Sequence, residues 1–158
     1  KAAAIKAKMN SLVDPNIINM LYEASEAGVK IELIVRGMCC LYPGVKGISE
    51  NIRVISIIGR FLEHSRIFWF GNNGKPDVYI GSADWMRRNL DRRVEAVTPI
   101  EDIKIKKEIK HLLDSYLEEH KDSWYMQSDG SYTKNQVMNN KNSFIQEKII
   151  KLYKKETN

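Results

Sequence analysis

Cysteine, histidine and proline are all scarce in this chain of 158 residues, with two, three and four copies. The two cysteines, Cys39 and Cys40, are adjacent. Neighbouring cysteines rarely bridge each other, so no disulfide framework is expected, and no histidine joins them at zinc-ligand spacing. Both read as reduced, cytosolic thiols packed in or near the core. No apolar run approaches the roughly 18 residues of a membrane-spanning helix. The opening KAAAIKAKMN is too short and too broken for a signal peptide. The chain begins without a methionine and enters a strand pattern almost at once, which suggests a piece of a longer protein.

What is present is an ordinary globular composition, 43% hydrophobic and 28% charged, enough for one domain with a single core. The formal charge of +5 favours an anionic partner. Nucleic acid, acidic lipid, nucleotide and polyanion all remain open on charge alone.

The first ninety-odd residues alternate strand and helix signals. AAIKAKM reads as a short strand. Asp14-Pro15 is an N-cap followed by proline at the first helical position, and Ile17, Ile18, Leu21 and Ala24 recur at helical spacing until Gly28. VKIELIVRG reads as a second strand ending at Gly37, and a helix between two strands predicts a parallel pair. MCCLYPGVKGISEN is a long loop of the kind that often carries function. IRVISIIGRFLEH is ambiguous between helix and strand. RIFWF and DVYIGSA read as a hairpin around GNNGKP, and RRVEAVTPI as a strand ended by Pro99.

From Glu101 the period changes. Ile105, Ile109, Leu112, Leu113, Tyr116 and Leu117 form one stripe of a helix expected to reach about His120. A hairpin around Asp129-Gly130, an asparagine-rich linker and a last amphipathic helix with Phe144, Ile145, Ile149, Ile150 and Leu152 follow. The expectation is an α/β domain over residues 1–120, with a hairpin and helix over 121–158 as a small C-terminal extension of it.

Basic residues gather where strands should end: Arg36 after the second strand, Arg53 after the loop, and Arg60, His64 and Arg66 around the next turn. Ligands of α/β folds sit outside the carboxyl ends of strands. The planar fork of arginine matches phosphate oxygens, and histidine exchanges protons near neutral pH. An Arg-His-Arg grouping therefore suits phosphoryl chemistry, although spacing alone leaves His64 undecided between that role and a structural one. His111 and His120 read as helix residues without function. Phe68, Trp69 and Phe70 read as packing on the strand faces, and KIKKEIK as the wet face of its helix.

A longer pattern adds weight. His64, one residue, Arg66 and then GSADWMRRNLDRRVE from Gly81 resemble the phospholipase D superfamily order: H-x-K, then G-S-x-N, then a glutamate. Arg66 stands in place of lysine, Gly71 in the slot of that motif's aspartate, and Asp84 in place of asparagine. IKAKMNSLVD, VKIELIVRGMCCLYPGVKGISENIRVISIIGRFLEHSRIFWFGN and VYIGSADWMRRNLDRRVE resemble the C-terminal catalytic domain of bacterial polyphosphate kinase, almost continuously from Lys6 to about Ile100. DGSY at 129–132 resembles the tail of that family.

The resemblance implies a phospholipase D-like mixed sheet flanked by helices, and reversible transfer of the terminal phosphate of ATP to polyphosphate through a phosphohistidine. Arg36 matches an ATP-binding arginine. His64 matches the second active-site histidine, which also contacts nucleotide phosphates. The phosphorylated histidine, the adenine-stacking tyrosine and the arginines of the magnesium site belong to the preceding half of that enzyme, so this chain alone is expected to be inactive. Charge and predicted strand-end position add Lys8, Asn10, Arg53 and Arg66 as phosphate-cradle residues, with Ser82 and Asp84 orienting them. Mg2+ is implied, bound mainly by the missing half, and the chain has no metal cluster of its own. The implied partners are ATP or ADP, inorganic polyphosphate and the remaining domains of the same polypeptide. Nucleic acid is not expected, and the intact enzyme is expected to be a homo-oligomer. It would be cytoplasmic, with peripheral membrane attachment left open. A phospholipase D-like phosphodiesterase or nuclease, or a basic polyanion-binding module, are the rival readings.

Overall fold

In the computed structural model, described over residues 3–118, 120–134 and 144–156, eight strand segments assemble into one sheet among the described residues. Its strands are β1 (Ala4–Met9), β2 (Lys30–Val35), β3 (Ile52–Ile57), β4 (Arg66–Phe70), β5 (Asp77–Gly81), β6 (Val97–Pro99), β7 (Ser123–Met126) and β8 (Tyr132–Lys134), in spatial order β6-β5-β4-β1-β2-β3-β7-β8. The β1–β2 and β2–β3 pairs are parallel, and every other pair is antiparallel. The mixed sheet flanked by helices is thus the observed architecture.

Helix α1 (Pro15–Glu26) begins as its sequence dictates, with the Asp14 side chain accepting from the Ile17 amide at 3.0 Å and Pro15 where no amide is needed. It packs Ile18 and Leu21 on one face of the sheet, against Ala7, Met9, Leu33, Val35 and Val54. Helix α3 (Ile103–Leu117), capped by Asp102, packs Leu113, Tyr116 and Leu117 on the other face, against Ile34, Ile55, Ile57 and Trp69. The central strands are covered on both faces, which is why β2 reads as a nearly unbroken apolar run rather than an alternation.

One interruption of that apolar surface is ionic. On the α3 face, Lys6, Glu32 and Arg53 stand side by side on β1, β2 and β3. Lys6 lies 3.1 Å from Glu32, Arg53 also 3.1 Å from Glu32, and Asp114 of α3 closes the row against Lys6.

Several expectations change. The ambiguous segment after Asn51 divides into β3 and an irregular loop carrying His64. The strand expected over 92–100 shrinks to β6, because Arg92 ends α2 (Arg87–Arg92) and residues 93–96 are irregular. Helix α3 stops at Leu117, so His120 lies off the helix, buried, with Nε2 2.6 Å from the Ser115 carbonyl. Cys39 packs against the core and burial lifts its pKa to about 11, but Cys40 is exposed.

The C-terminal segment is more firmly integrated than an appendage. Strand β7 pairs with β3, and the Asp129-Gly130 turn leads back through β8. Ile145, the first residue of helix α4 (Ile145–Glu156), is 0% exposed in the α3-side core. The asparagine-rich linker over 135–143 lies outside the described residues. No helix among the described residues is long and apolar enough to cross a membrane.

Candidate phosphate site

Strand direction brings distant residues to one edge of the sheet. The C-terminal ends of parallel β1 and β2 point the same way. Strand β4 runs against β1, so it begins at that edge, and β5, running against β4, ends there. Lys8 and Asn10, Arg36, Arg66, and Ser82 with Asp84 therefore converge from four strands.

Asn10, Arg36, Arg66 and Asp84 are joined by one hydrogen-bond chain. Arg66 donates from Nη1 to the His64 carbonyl at 2.8 Å, and from Nε and Nη2 to the two oxygens of Asp84 at 3.1 and 3.0 Å. Asp84, only 6% exposed, also accepts from the backbone amide of Asn10 at 2.7 Å. The Asn10 Oδ1 in turn accepts from Arg36 Nε at 2.9 Å. Gly37 lets this packing close: its amide donates to the Asn10 carbonyl at 2.7 Å, and an added Cβ would sit 2.9 Å from that oxygen. Phe68 stacks on Trp85, with centroids 5.0 Å apart, beneath the turn that carries Asp84.

Two groups in this chain retain open valences. Arg36 has no partner for its terminal nitrogens among the described residues, and the Asn10 Nδ2 is buried without an acceptor. A planar fork with both ends free is the geometry that phosphate oxygens fill bidentately. The His64 ring is exposed and makes no side-chain hydrogen bond among the described residues.

Lys8 is held differently. It is 6% exposed, lies 3.0 Å from Glu63, donates to Ser65 Oγ at 2.7 Å and lies over the Tyr116 ring. Burial lowers its pKa above all, and the neighbouring charges of Arg36 and Arg66 add to that against the pull of Glu63. Burial alone would raise the Glu63 pKa, but Tyr116, Lys8 and Gln146 outweigh it and hold the carboxylate below its usual range.

Ser82 faces the other side of the cluster. Its hydroxyl bonds Glu95 and accepts from the Ala96 amide at 3.0 Å, while Asn89 donates to Glu95 at 2.6 Å. This glutamate is the one that the motif order anticipates.

The structure does not bring Arg53 to the cradle. It is the second residue of β3, opposite Glu32, and Glu32 lies four residues before Arg36, about 13 Å along the strand at 3.3 Å per residue. Its guanidinium donates to Glu32 at 3.1 Å and to the Leu117 carbonyl at 2.9 Å. Arg60 lies over the Phe61 ring.

No group of three histidine, cysteine or acidic residues among the described residues could hold a metal ion. Glu63 and Asp84, the carboxylates nearest His64 in this network, are committed to Lys8, Tyr116 and Arg66. The donor set therefore does not fit Mg2+ bound by this chain alone. Glu63, Tyr116 and Gln146 were not legible as site residues, since Tyr116 and Gln146 reach the loop, and Glu63 within it, across long sequence separations.

A sequence profile described as Polyphosphate kinase C-terminal domain 2 matches residues 1–146. The chain is 63% identical over 150 residues to the polyphosphate kinase of Prochlorococcus marinus (strain MIT 9313), covering 94% of this chain and 21% of that protein. It is 66% identical over 132 residues to the polyphosphate kinase of Parasynechococcus marenigrum (strain WH8102), covering 84% and 18%. The chain thus spans about a fifth of the length of these curated relatives. The crystal structure of polyphosphate kinase from Porphyromonas gingivalis superposes with a TM-score of 0.93 at 41% identity, over 99% of this chain and 24% of that one. Nuc from Salmonella typhimurium, a phospholipase D family member, matches with a TM-score of 0.57 at 15% identity, over 84% and 82% of the two chains. That likeness shows the shared fold alone. The site is carried by a chain that belongs to the polyphosphate kinase C-terminal domain 2 family.

Proposed function

We propose that this chain supplies one wall of an ATP–polyphosphate phosphotransferase site, the other wall coming from polypeptide outside it. The observation that carries the reading is the open guanidinium fork of Arg36, tied through Asn10, Asp84 and Arg66 to the loop that bears an exposed His64. High identity to polyphosphate kinases supports it over a phosphodiesterase or nuclease.

In this reading, Arg36 binds nucleotide phosphate oxygens and disperses the charge that builds up as phosphorus leaves its bridging oxygen. Lys8 and Arg66 set a positive potential beneath the site, with Asn10 Nδ2 as a further donor. The nucleophilic histidine lies outside this chain. His64 donates a hydrogen bond or proton to the departing oxygen. Mg2+ accompanies the nucleotide and takes its protein ligands from the rest of the polypeptide.

The test uses the full-length enzyme carrying this domain. His64→Ala should lower the rate of polyphosphate synthesis by about 10²–10⁴-fold. Arg36→Ala should weaken ATP binding, measured by calorimetry, by roughly 10- to 100-fold, the value of a charge-assisted contact. Undiminished synthesis in both variants would overturn the proposal.

A further inference from the structure

The loop from Ile58 to Ser65 has no regular secondary structure, yet it must place His64 beside the cradle. Gln146, in the first turn of α4, holds it. The Gln146 Oε1 accepts from the amides of Arg60 at 2.7 Å and Phe61 at 2.8 Å. Its Nε2 donates to the Phe61 carbonyl and to Glu63 Oε1, both at 2.8 Å. One side-chain amide thus acts as a surrogate strand for the loop, and it is 7% exposed.

The loop is shaped to receive it. Gly59 has φ +57, and a Cβ there would lie 2.6 Å from the Gln146 carboxamide carbon. Glu63, fixed by Gln146, passes the constraint to Lys8 and Tyr116. On the far side of His64, Arg66 holds the His64 carbonyl. The histidine backbone is therefore clamped from both sides while its ring stays exposed.

We infer that Gln146 is a positioning residue for His64, coupling helix α4 to the phosphate site. This rests on the function proposed above. A displacement of a catalytic group by about 1 Å can cost about 10²-fold in rate, so the loss should appear in turnover more than in nucleotide affinity.

The experiment measures polyphosphate synthesis by the full-length enzyme carrying this domain, with His64→Ala, Gln146→Ala and Gln146→Glu in parallel. Gln146→Ala should lower kcat by about 10- to 100-fold, with KM for ATP changed by less than about threefold. Gln146→Glu sets a carboxylate against Glu63 at neutral pH, but its protonated form can again donate to Glu63 and accept from the loop amides. Its kcat relative to the parent should therefore recover as pH falls from about 8 toward 5.5, near the range of a carboxyl raised by a like-charged neighbour. A role in folding alone would not give that recovery, and should Gln146→Ala fail to fold, this profile still decides. If His64→Ala abolishes synthesis while Gln146→Ala retains the parent kcat, or Gln146→Glu shows no recovery, the positioning role is wrong. If His64→Ala itself is fully active, the functional reading has failed instead.

Discussion

Arg66 and Asp84 face each other in a two-point contact, with Nε and Nη2 at 3.1 and 3.0 Å from the two carboxylate oxygens, and Asp84 also takes the amides of Asn10 and Ser11. The phospholipase D pattern has lysine and asparagine at these two places. The two departures therefore compensate each other: a fork replaces a point charge where a carboxylate replaces an amide.

That pairing predicts non-additivity. Asp84→Ala strands a mostly buried guanidinium and two amides, and should destabilise the domain by about 3–5 kcal/mol. The double change Arg66→Lys with Asp84→Asn should cost less than the sum of its two single changes. Urea denaturation of the four proteins gives the coupling directly. Additive costs would show that the pair does not act as a unit.

The acidic limb of stability should be traceable to Glu32. Burial would raise its pKa, but the Lys6 hydrogen bond and the charges of Lys6, Lys30 and Arg53 outweigh it and hold the carboxylate low. A carboxyl depressed in the folded state stabilises above its unfolded pKa, about 4.3, and that stability drains away as pH falls through the folded value. Glu63 and Asp114 are depressed in the same sense. Unfolding free energy should thus be nearly flat above about pH 5 and fall steeply below about pH 4. Glu32→Gln should flatten that slope.

Ile145→Ala tests whether the last helix is part of the domain. Emptying a fully buried isoleucine site should cost about 2–5 kcal/mol, read as a lowered denaturation midpoint with an unchanged slope. A loss under about 0.5 kcal/mol, the range of surface changes, would mean that α4 is detachable.

At Gly37 the expected defect is local. A methyl group there meets the Asn10 carbonyl at 2.9 Å, and backbone has to move. Gly37→Ala should weaken ATP binding by the full-length enzyme while leaving the Glu32 and Lys6 pairing intact, so calorimetry should change more than the melting temperature.

The meeting of Arg36 and Arg66 at one sheet edge, with the His64 loop beside them, was legible because these residues sit in distinctive strings next to strand signals. The position of Arg53 opposite Glu32 is hidden in the sequence for a physical reason. A strand's residues alternate faces and progress along its axis, and the boundaries of IRVISIIGRFLEH were ambiguous, so nothing local told which end Arg53 would occupy. His120 looks helical in the sequence because an apolar stripe does not mark where its helix ends, and α3 stops at Leu117. Gln146 left no local trace at all. Its partners lie more than eighty residues away, and a glutamine on an amphipathic helix looks like a wet residue until the loop is seen to wrap it.

The ionic row of Lys6, Glu32 and Arg53 has a consequence for how the chain finds its own topology. Sliding one central strand by two residues keeps every side chain on its proper face, so apolar burial alone discriminates poorly against that error. With the row present, such a slip sets Lys6 opposite Lys30 in one direction and opposite Ile34 in the other. The first slip sets Lys6 against a like charge while Lys8 takes its place opposite Glu32, and the second leaves Lys6 without its counterpart, at a cost of several kcal/mol. Three charged residues thus act as a proofreading key for the three parallel strands whose ends build the site.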